Sequence, residues 1–131
     1  MANHAQIKIL LIDDEKKTAQ MFRFRLELSW GYQVTIAYSG KEGLRKFRKE
    51  NFDLAITDYN LPDLNGEEVL DAVKQIQPDL PVCVFVACHD NDPVIIDRIQ
   101  TKANAVISKP VDFDKLHEMI NDVLDKRIKS I

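Results

Sequence analysis

Cysteine, glycine and proline are scarce in this chain, at two, four and five in 131 residues. That scarcity excludes a disulfide framework, a collagen-like repeat and a linker-like chain. Cys83 and Cys88 lie five apart in an apolar run, without CxxC spacing or paired histidines. They read as two reduced thiols rather than as metal ligands or a redox pair. Long hydrophobic runs are missing as well. The longest apolar stretches, residues 7–12 and 81–88, fall far short of the roughly 20 residues that a membrane helix needs. Residues 1–6 have neither the basic start nor the apolar core of a secretory signal. A cytoplasmic protein without membrane contact is expected.

A strong excess of one charge is also lacking, since 18 basic and 21 acidic residues leave a net charge of −3. The distribution is uneven: residues 1–50 carry 10 basic and 6 acidic side chains, leaving 8 and 15 for the remainder. The basic cluster of Lys41, Arg45, Lys46, Arg48 and Lys49 is interrupted by Glu42 and followed by Glu50. It reads as a solvated helix face, and no direct nucleic-acid binding is expected.

What is present is a regular alternation of short apolar runs with longer amphipathic stretches. With 45% hydrophobic and 30% charged residues, the chain suits one domain, over residues 5–129, with no output domain after it. Strands are expected at residues 7–12, 33–37, 54–57, 82–87 and 105–108. Three of these are continuously apolar, the mark of parallel strands covered by helices on both faces. Helical periodicity runs from Lys16 to Trp30, with Ala19, Phe22, Leu26 and Trp30 turned inward, and over residues 39–50 behind a Ser39 cap. Asn65 caps a third helix over residues 66–77, Asn91 or Asp92 precedes Pro93 at the start of a fourth, and Asp112 caps a fifth. Five βα units with right-handed crossovers give an α/β, doubly wound, five-stranded parallel sheet.

In such a sheet the ligand site lies at the carboxyl ends of the strands. There stand Asp13, Asp14 and Glu15 after the first strand, Asp58 after the third, residues 86–90 around the fourth, and Lys109 and Pro110 after the fifth. Singly, an aspartate after a strand is a common turn former or helix cap. Jointly, three carboxylates at one edge repel one another, and Lys109 alone cannot compensate them. Hard oxygen ligands suit Mg²⁺, which keeps positions for water and phosphoryl oxygens. Asp58 is then placed for in-line attack on phosphorus, giving an acyl phosphate.

The runs Ile9-Leu10-Leu11-Ile12-Asp13-Asp14-Glu15, Thr57-Asp58-Tyr59-Asn60-Leu61-Pro62-Asp63-Leu64-Asn65-Gly66 and Ser108-Lys109-Pro110 resemble, in order and approximate spacing, the receiver domain of two-component response regulators. The resemblance covers nearly the whole chain. It implies a flavodoxin-like (βα)5 fold with strand order 2-1-3-4-5. Asp58 is implied as phospho-acceptor, Asp14 as a direct Mg²⁺ ligand, Asp13 as an acid reaching the metal through water, and Asn60 as a ligand through its backbone carbonyl. Lys109 is implied as the partner of the phosphoryl group, with a cis peptide bond before Pro110. The implied partners are a histidine kinase or histidine phosphotransfer protein and a downstream protein, with the chain a monomer or weak dimer. No enzyme activity is implied beyond Mg²⁺-assisted self-phosphorylation and dephosphorylation.

Two positions depart from the family's pattern. Val86 stands where the fourth strand typically ends in Thr or Ser, and Val106 stands where Tyr or Phe is frequent. Without the hydroxyl, one charge-assisted bond to a phosphoryl oxygen is missing, worth about 1.5 to 3 kcal/mol. Cys88 follows two residues after Val86 and is a weak donor. These departures keep a second reading open, a pseudo-receiver whose docking does not depend on phosphate. An enzyme on the same fold fits less well. A flavin phosphate would be repelled by Asp13-Asp14-Glu15, and an Asp-nucleophile phosphatase wants Asp, not Glu, at position 15. On the first helix, Phe24 and Leu28 lie opposite the inward face and, with Met21, form a candidate docking patch.

Overall fold

Ten elements alternate without exception in the computed structural model, which describes residues 7–87 and 92–129. They are β1 (Lys8–Ile12), α1 (Lys16–Trp30), β2 (Gln33–Ala37), α2 (Gly40–Lys49), β3 (Leu54–Asp58), α3 (Gly66–Ile76), β4 (Val82–Ala87), α4 (Pro93–Gln100), β5 (Ala105–Lys109) and α5 (Phe113–Lys129). The five strands form one parallel sheet in the order β2-β1-β3-β4-β5. The doubly wound architecture is therefore the observed one. Residues 5 and 6, Cys88 and the cap candidate Asn91 lie outside the described residues.

The three continuously apolar runs become the central strands. All five residues of β3 are buried, as are the last four of β1 and the first five of β4. Side chains that alternate along each strand feed two cores. Ile9, Leu11, Ile56 and Phe85 pack with Phe22 and Leu26 of α1 and Leu116 and Ile120 of α5. Leu10, Ile12, Ala55 and Val84 pack with Leu44 and Phe47 of α2, Val69 and Val73 of α3, and Ile99 of α4. No described helix is long and apolar enough to cross a membrane.

The helix starts follow from short polar side chains that satisfy otherwise orphaned N–H groups. Ser39 Oγ accepts from Glu42 N at 3.1 Å, and Asp92 Oδ1 accepts from Val94 N at 2.9 Å. Asp112 Oδ1 accepts from Asp114 N and Lys115 N. Asn65 and Glu68 form a reciprocal capping box at α3. On α2, Lys41, Arg45, Arg48 and Lys49 are exposed, whereas Lys46 folds back to donate to Ile36 O at 2.7 Å.

Three strand boundaries differ from the sequence reading, and α3 ends at Ile76 with Gln77 as its C-cap. β1 begins at Lys8, although Ile7 O still accepts from Gln33 N. β3 and β5 each extend one residue, to Asp58 and Lys109, because the parallel ladder continues there: Asp58 faces Phe85 and Ala87 faces Lys109. Both side chains central to the site are thus held by strands rather than by loops.

Candidate functional site

Strand alternation brings the polar cluster together. Asp13 follows Ile9 and Leu11 by steps of two, Asp58 follows Leu54 and Ile56, and Lys109 follows Ala105 and Ile107, so all three belong to the α1–α5 side of the sheet. Register places them at one end. Ile12 pairs with Thr57, which sets Asp13 beside Asp58 one step further on. Asp13 N donates to Ala37 O at 3.0 Å, fixing the turn after β1 against the end of β2. The loop from Tyr59 to Asn65 is anchored at both ends by Tyr59 N to Phe85 O and Gly66 N to Tyr59 O. Gly66 is required by this close approach, because a Cβ there would lie 2.6 Å from Asp58 O.

Lys109 Nζ lies 2.8 Å from Asp58 Oδ1 and 2.9 Å from Oδ2, and 3.6 Å from Asp13 Oδ2. One carboxylate oxygen from each of Asp13, Asp14 and Asp58 falls within 4.8 Å of the others. Asp13 is 1% exposed and Asp58 is buried, while Asp14 is exposed. Asp14, Glu15, Asp58, Asn60, Phe85, Ala87, Lys109 and Pro110 line an open cleft of about 540 Å³. The Lys109–Pro110 peptide bond is cis.

Burial, joined by the neighbouring Asp13 charge, pushes the Asp58 carboxyl up to about 7 against the opposing pull of Lys109. Burial also works against the Lys109 charge, but the hydrogen bond and charge of Asp58 outweigh it and raise the ammonium's pKa. Three carboxylates against one ammonium leave the cluster short of positive charge. Asp13 Oδ2 is buried and accepts no hydrogen bond. A small, hard divalent cation fits this oxygen donor set and would supply the missing charge.

The family profile described as the response regulator receiver domain matches residues 9–121. The chain belongs to this family. Over 124 residues the receiver domain is 33% identical to the transcriptional regulatory protein GlrR of Escherichia coli (strain K12), covering 95% of this chain and 28% of that protein. Over 119 residues it is 31% identical to ZraR of Klebsiella oxytoca, covering 91% and 26%. The receiver thus spans 26–28% of the length of these curated relatives. A response regulator receiver domain protein from Clostridium thermocellum superposes with a TM-score of 0.86 at 33% identity, over 95% of this chain and 99% of that one. TrrA from Thermotoga maritima, solved in complex with Mg²⁺ and BeF, gives 0.80 at 26% identity, over 90% and 99%.

Within this receiver domain, Asp14, Asp58, Asn60 and Lys109 line one cleft, with a carboxylate oxygen of the buried Asp13 within 4.8 Å of those of Asp14 and Asp58, whereas Val86 and Val106 do not line it. Both valines pack on the α2–α3–α4 side, with Tyr59, Ile95 and Ile96. Phe85 was not singled out from sequence, yet it lines the cleft with its ring centroid 6.0 Å from Lys109 Nζ. Register would have found it, since it is the partner of Asp58. Met21, Phe24 and Leu28 are exposed at 51%, 62% and 71%. Beside the cleft, Thr18, Met21, Phe22, Val111 and Phe113 border a second hollow that shares Lys109 and Pro110.

Proposed function

We propose that Asp58 accepts a phosphoryl group from a phosphohistidine of a histidine kinase or histidine phosphotransfer protein. The observation carrying this reading is the Asp58 carboxylate at the open cleft, held by Lys109 and flanked by Asp13 and Asp14. A carboxylate oxygen attacks phosphorus, the P–N bond breaks with its electron pair leaving on the imidazole nitrogen, and an acyl phosphate forms. Asp13, Asp14, Asp58 and the Asn60 carbonyl would hold Mg²⁺, which when bound offsets negative charge on the transferring oxygens. Lys109 pairs with a phosphoryl oxygen and so remains beside the acceptor through the transfer. The setting is cytoplasmic two-component signalling, with phosphoryl transfer the only chemistry ascribed to the chain and a downstream protein reading the result.

Mass spectrometry after incubation with acetyl phosphate or phosphoramidate and Mg²⁺ tests the assignment. One phosphoryl-mass adduct mapping to Asp58 is expected in the wild type and none in Asp58→Asn. An adduct mapped to another residue overturns it. The second reading, a pseudo-receiver docking without phosphate, is favoured by Val86 and Val106. It predicts no Mg²⁺-dependent adduct at Asp58.

The phosphodonor's docking face is assigned to α1. Met21, Phe24 and Leu28 recur at spacings of three and four residues along its exposed side, the pattern that seats one helix against another. The hollow bordered by Met21 and Phe22 runs from this stripe to Lys109. Phe24→Glu is expected to weaken binding of the cognate phosphodonor at least tenfold, by about 1.4 kcal/mol or more. Labelling by acetyl phosphate should remain unchanged. Unaltered phosphodonor affinity in a folded Phe24→Glu protein refutes the docking role.

A further inference from the structure

The two halves of the carboxylate cluster come from different parts of the chain. Asp13 and Asp14 follow β1, and the turn carrying them is bonded to the end of β2 through Asp13 N and Ala37 O. Asp58 and Asn60 belong to β3 and the loop after it. Pairing of Ile12 with Thr57 already sets Asp58 beside Asp13, but Asn60 lies on the loop beyond the strand, and a separate strut ties that loop to the β2–α2 junction. Asp63, in the middle of the β3–α3 loop, turns its carboxylate onto the first turn of α2, the helix that begins three residues after Ala37. Oδ1 accepts from Gly40 N at 2.9 Å and Oδ2 from Lys41 N at 2.9 Å. Oδ1 also accepts from Leu64 N at 2.8 Å, which orients the carboxylate within its own loop.

The contact is built for close approach. A Cβ on Gly40 would stand 2.9 Å from Leu64 Cβ and 3.2 Å from Asp63 Oδ1. Ser39 Oγ already caps Glu42 N, so Asp63 satisfies the two N–H groups that the helix's own cap leaves open. The carboxylate also meets the positive end of the helix dipole. Burial pushes its carboxyl up, but the backbone donors together outweigh it and hold the group below the ordinary range.

We infer that Asp63 is a positioning residue for the cation site: by tying the β3–α3 loop to the β2–α2 junction, it fixes the Asn60 carbonyl relative to Asp13 and Asp14. The inference rests on the reading of that cluster as an Mg²⁺ site. Asp63 touches neither metal nor phosphoryl group, and its effect passes through the loop.

Calorimetric Mg²⁺ titration of the whole chain, paired with thermal melts in chelator, separates positioning from simple helix capping. Asp63→Ala is expected to weaken the Mg²⁺ Kd roughly tenfold, the low end of what losing a supporting partner costs a metal site. Asp63→Asn keeps an acceptor for Gly40 N and Leu64 N but sets an amide against Lys41 N, so its Kd should fall between Asp63→Ala and the wild type. Ser39→Ala removes a cap from the same helix end without cutting the strut. It should lower the melting temperature and leave the Kd unchanged. If Asp63→Ala fails to fold, the displaced Kd of Asp63→Asn carries the test. A lowered melting temperature with wild-type Mg²⁺ affinity in both Asp63 variants makes the residue only a cap and overturns the inference. A wild-type chain that takes up no Mg²⁺ overturns the reading of the cluster, and the inference with it.

Discussion

Without metal, Asp58→Asn is expected to melt higher than the wild type above about pH 7, and Mg²⁺ should narrow the difference. The Asp58 carboxyl moves from 3.8 to about 7, burial being the first cause and the charge of Asp13 adding to it. Between those values the native state keeps a proton that the unfolded chain has released. Stability of the metal-free protein therefore falls as pH rises through that window, and above it the buried charge is carried at full cost. Each unit corresponds to about 1.4 kcal/mol. The shift already includes the opposing pull of Lys109; discounted for solvent at the open cleft, a net gain of about 2 kcal/mol is expected for the neutral asparagine above the window, vanishing below about pH 4 where both states are protonated. Mg²⁺ at a hundred times its Kd stabilises a binding-competent native state by about 2.7 kcal/mol. Asp14 is exposed, so Asp14→Ala should leave the metal-free fold nearly unchanged while removing Mg²⁺ stabilisation and labelling at Asp58 together. Melting curves across pH, with chelator and with Mg²⁺, read both effects. A lower melting temperature for metal-free Asp58→Asn, or an Asp14→Ala protein that Mg²⁺ still stabilises, contradicts this account.

The elements legible from sequence were those whose local chemistry agrees with their tertiary use. Residues 54–56 are continuously apolar because β3 sits at the centre of the sheet, and Ser39, Asn65 and Asp112 cap helices because their short side chains reach an open N–H two or three residues on. The carboxylate cluster was legible because parallel topology gathers strand ends. Glu67 was not. In the first turn of α3 a glutamate reads as a solvent-facing partner of the helix dipole, yet it is 7% exposed. Its burial depends on Arg98 and Lys102, 31 and 35 residues further on, which no local periodicity connects to it. Asp63 was hidden for the same reason, since within its motif it reads as a turn residue and its helix partner lies 23 residues earlier.

Glu67 bears on the last expected result: beryllofluoride with Mg²⁺ should shift amide resonances around Asp58 and leave those of residues 92–108 nearly in place. A phosphoryl mimic moves a conformational equilibrium only by its differential affinity for the two states. Val86 offers no hydroxyl with which to sense it, and Val106 has no ring to follow. The structure adds a restraint to this absence. Arg98 grips Glu67 through two bonds of 2.7 and 2.6 Å, and Lys102 bridges Glu67 at 2.8 Å to Asp71 at 3.1 Å, tying α4 to α3. The hydrogen bonds from Arg98 and Lys102 hold the Glu67 carboxyl at about 2, so the stability this link contributes is present above about pH 4.5 and is lost as pH falls towards 2. With its cations exposed, the link is screened by solvent, and Glu67→Gln should lower the melting temperature modestly near neutral pH and have no effect near pH 2. Val86→Thr is then expected to enlarge the response of α4 and β5 only in part, and Val86→Thr combined with Glu67→Gln to enlarge it further, because restored sensing still has to displace a tethered helix. Amide spectra of the three proteins, with and without beryllofluoride, decide the matter. Large shifts through residues 92–108 in the wild type would show that neither the missing hydroxyl nor the Glu67 tether holds α4 in place.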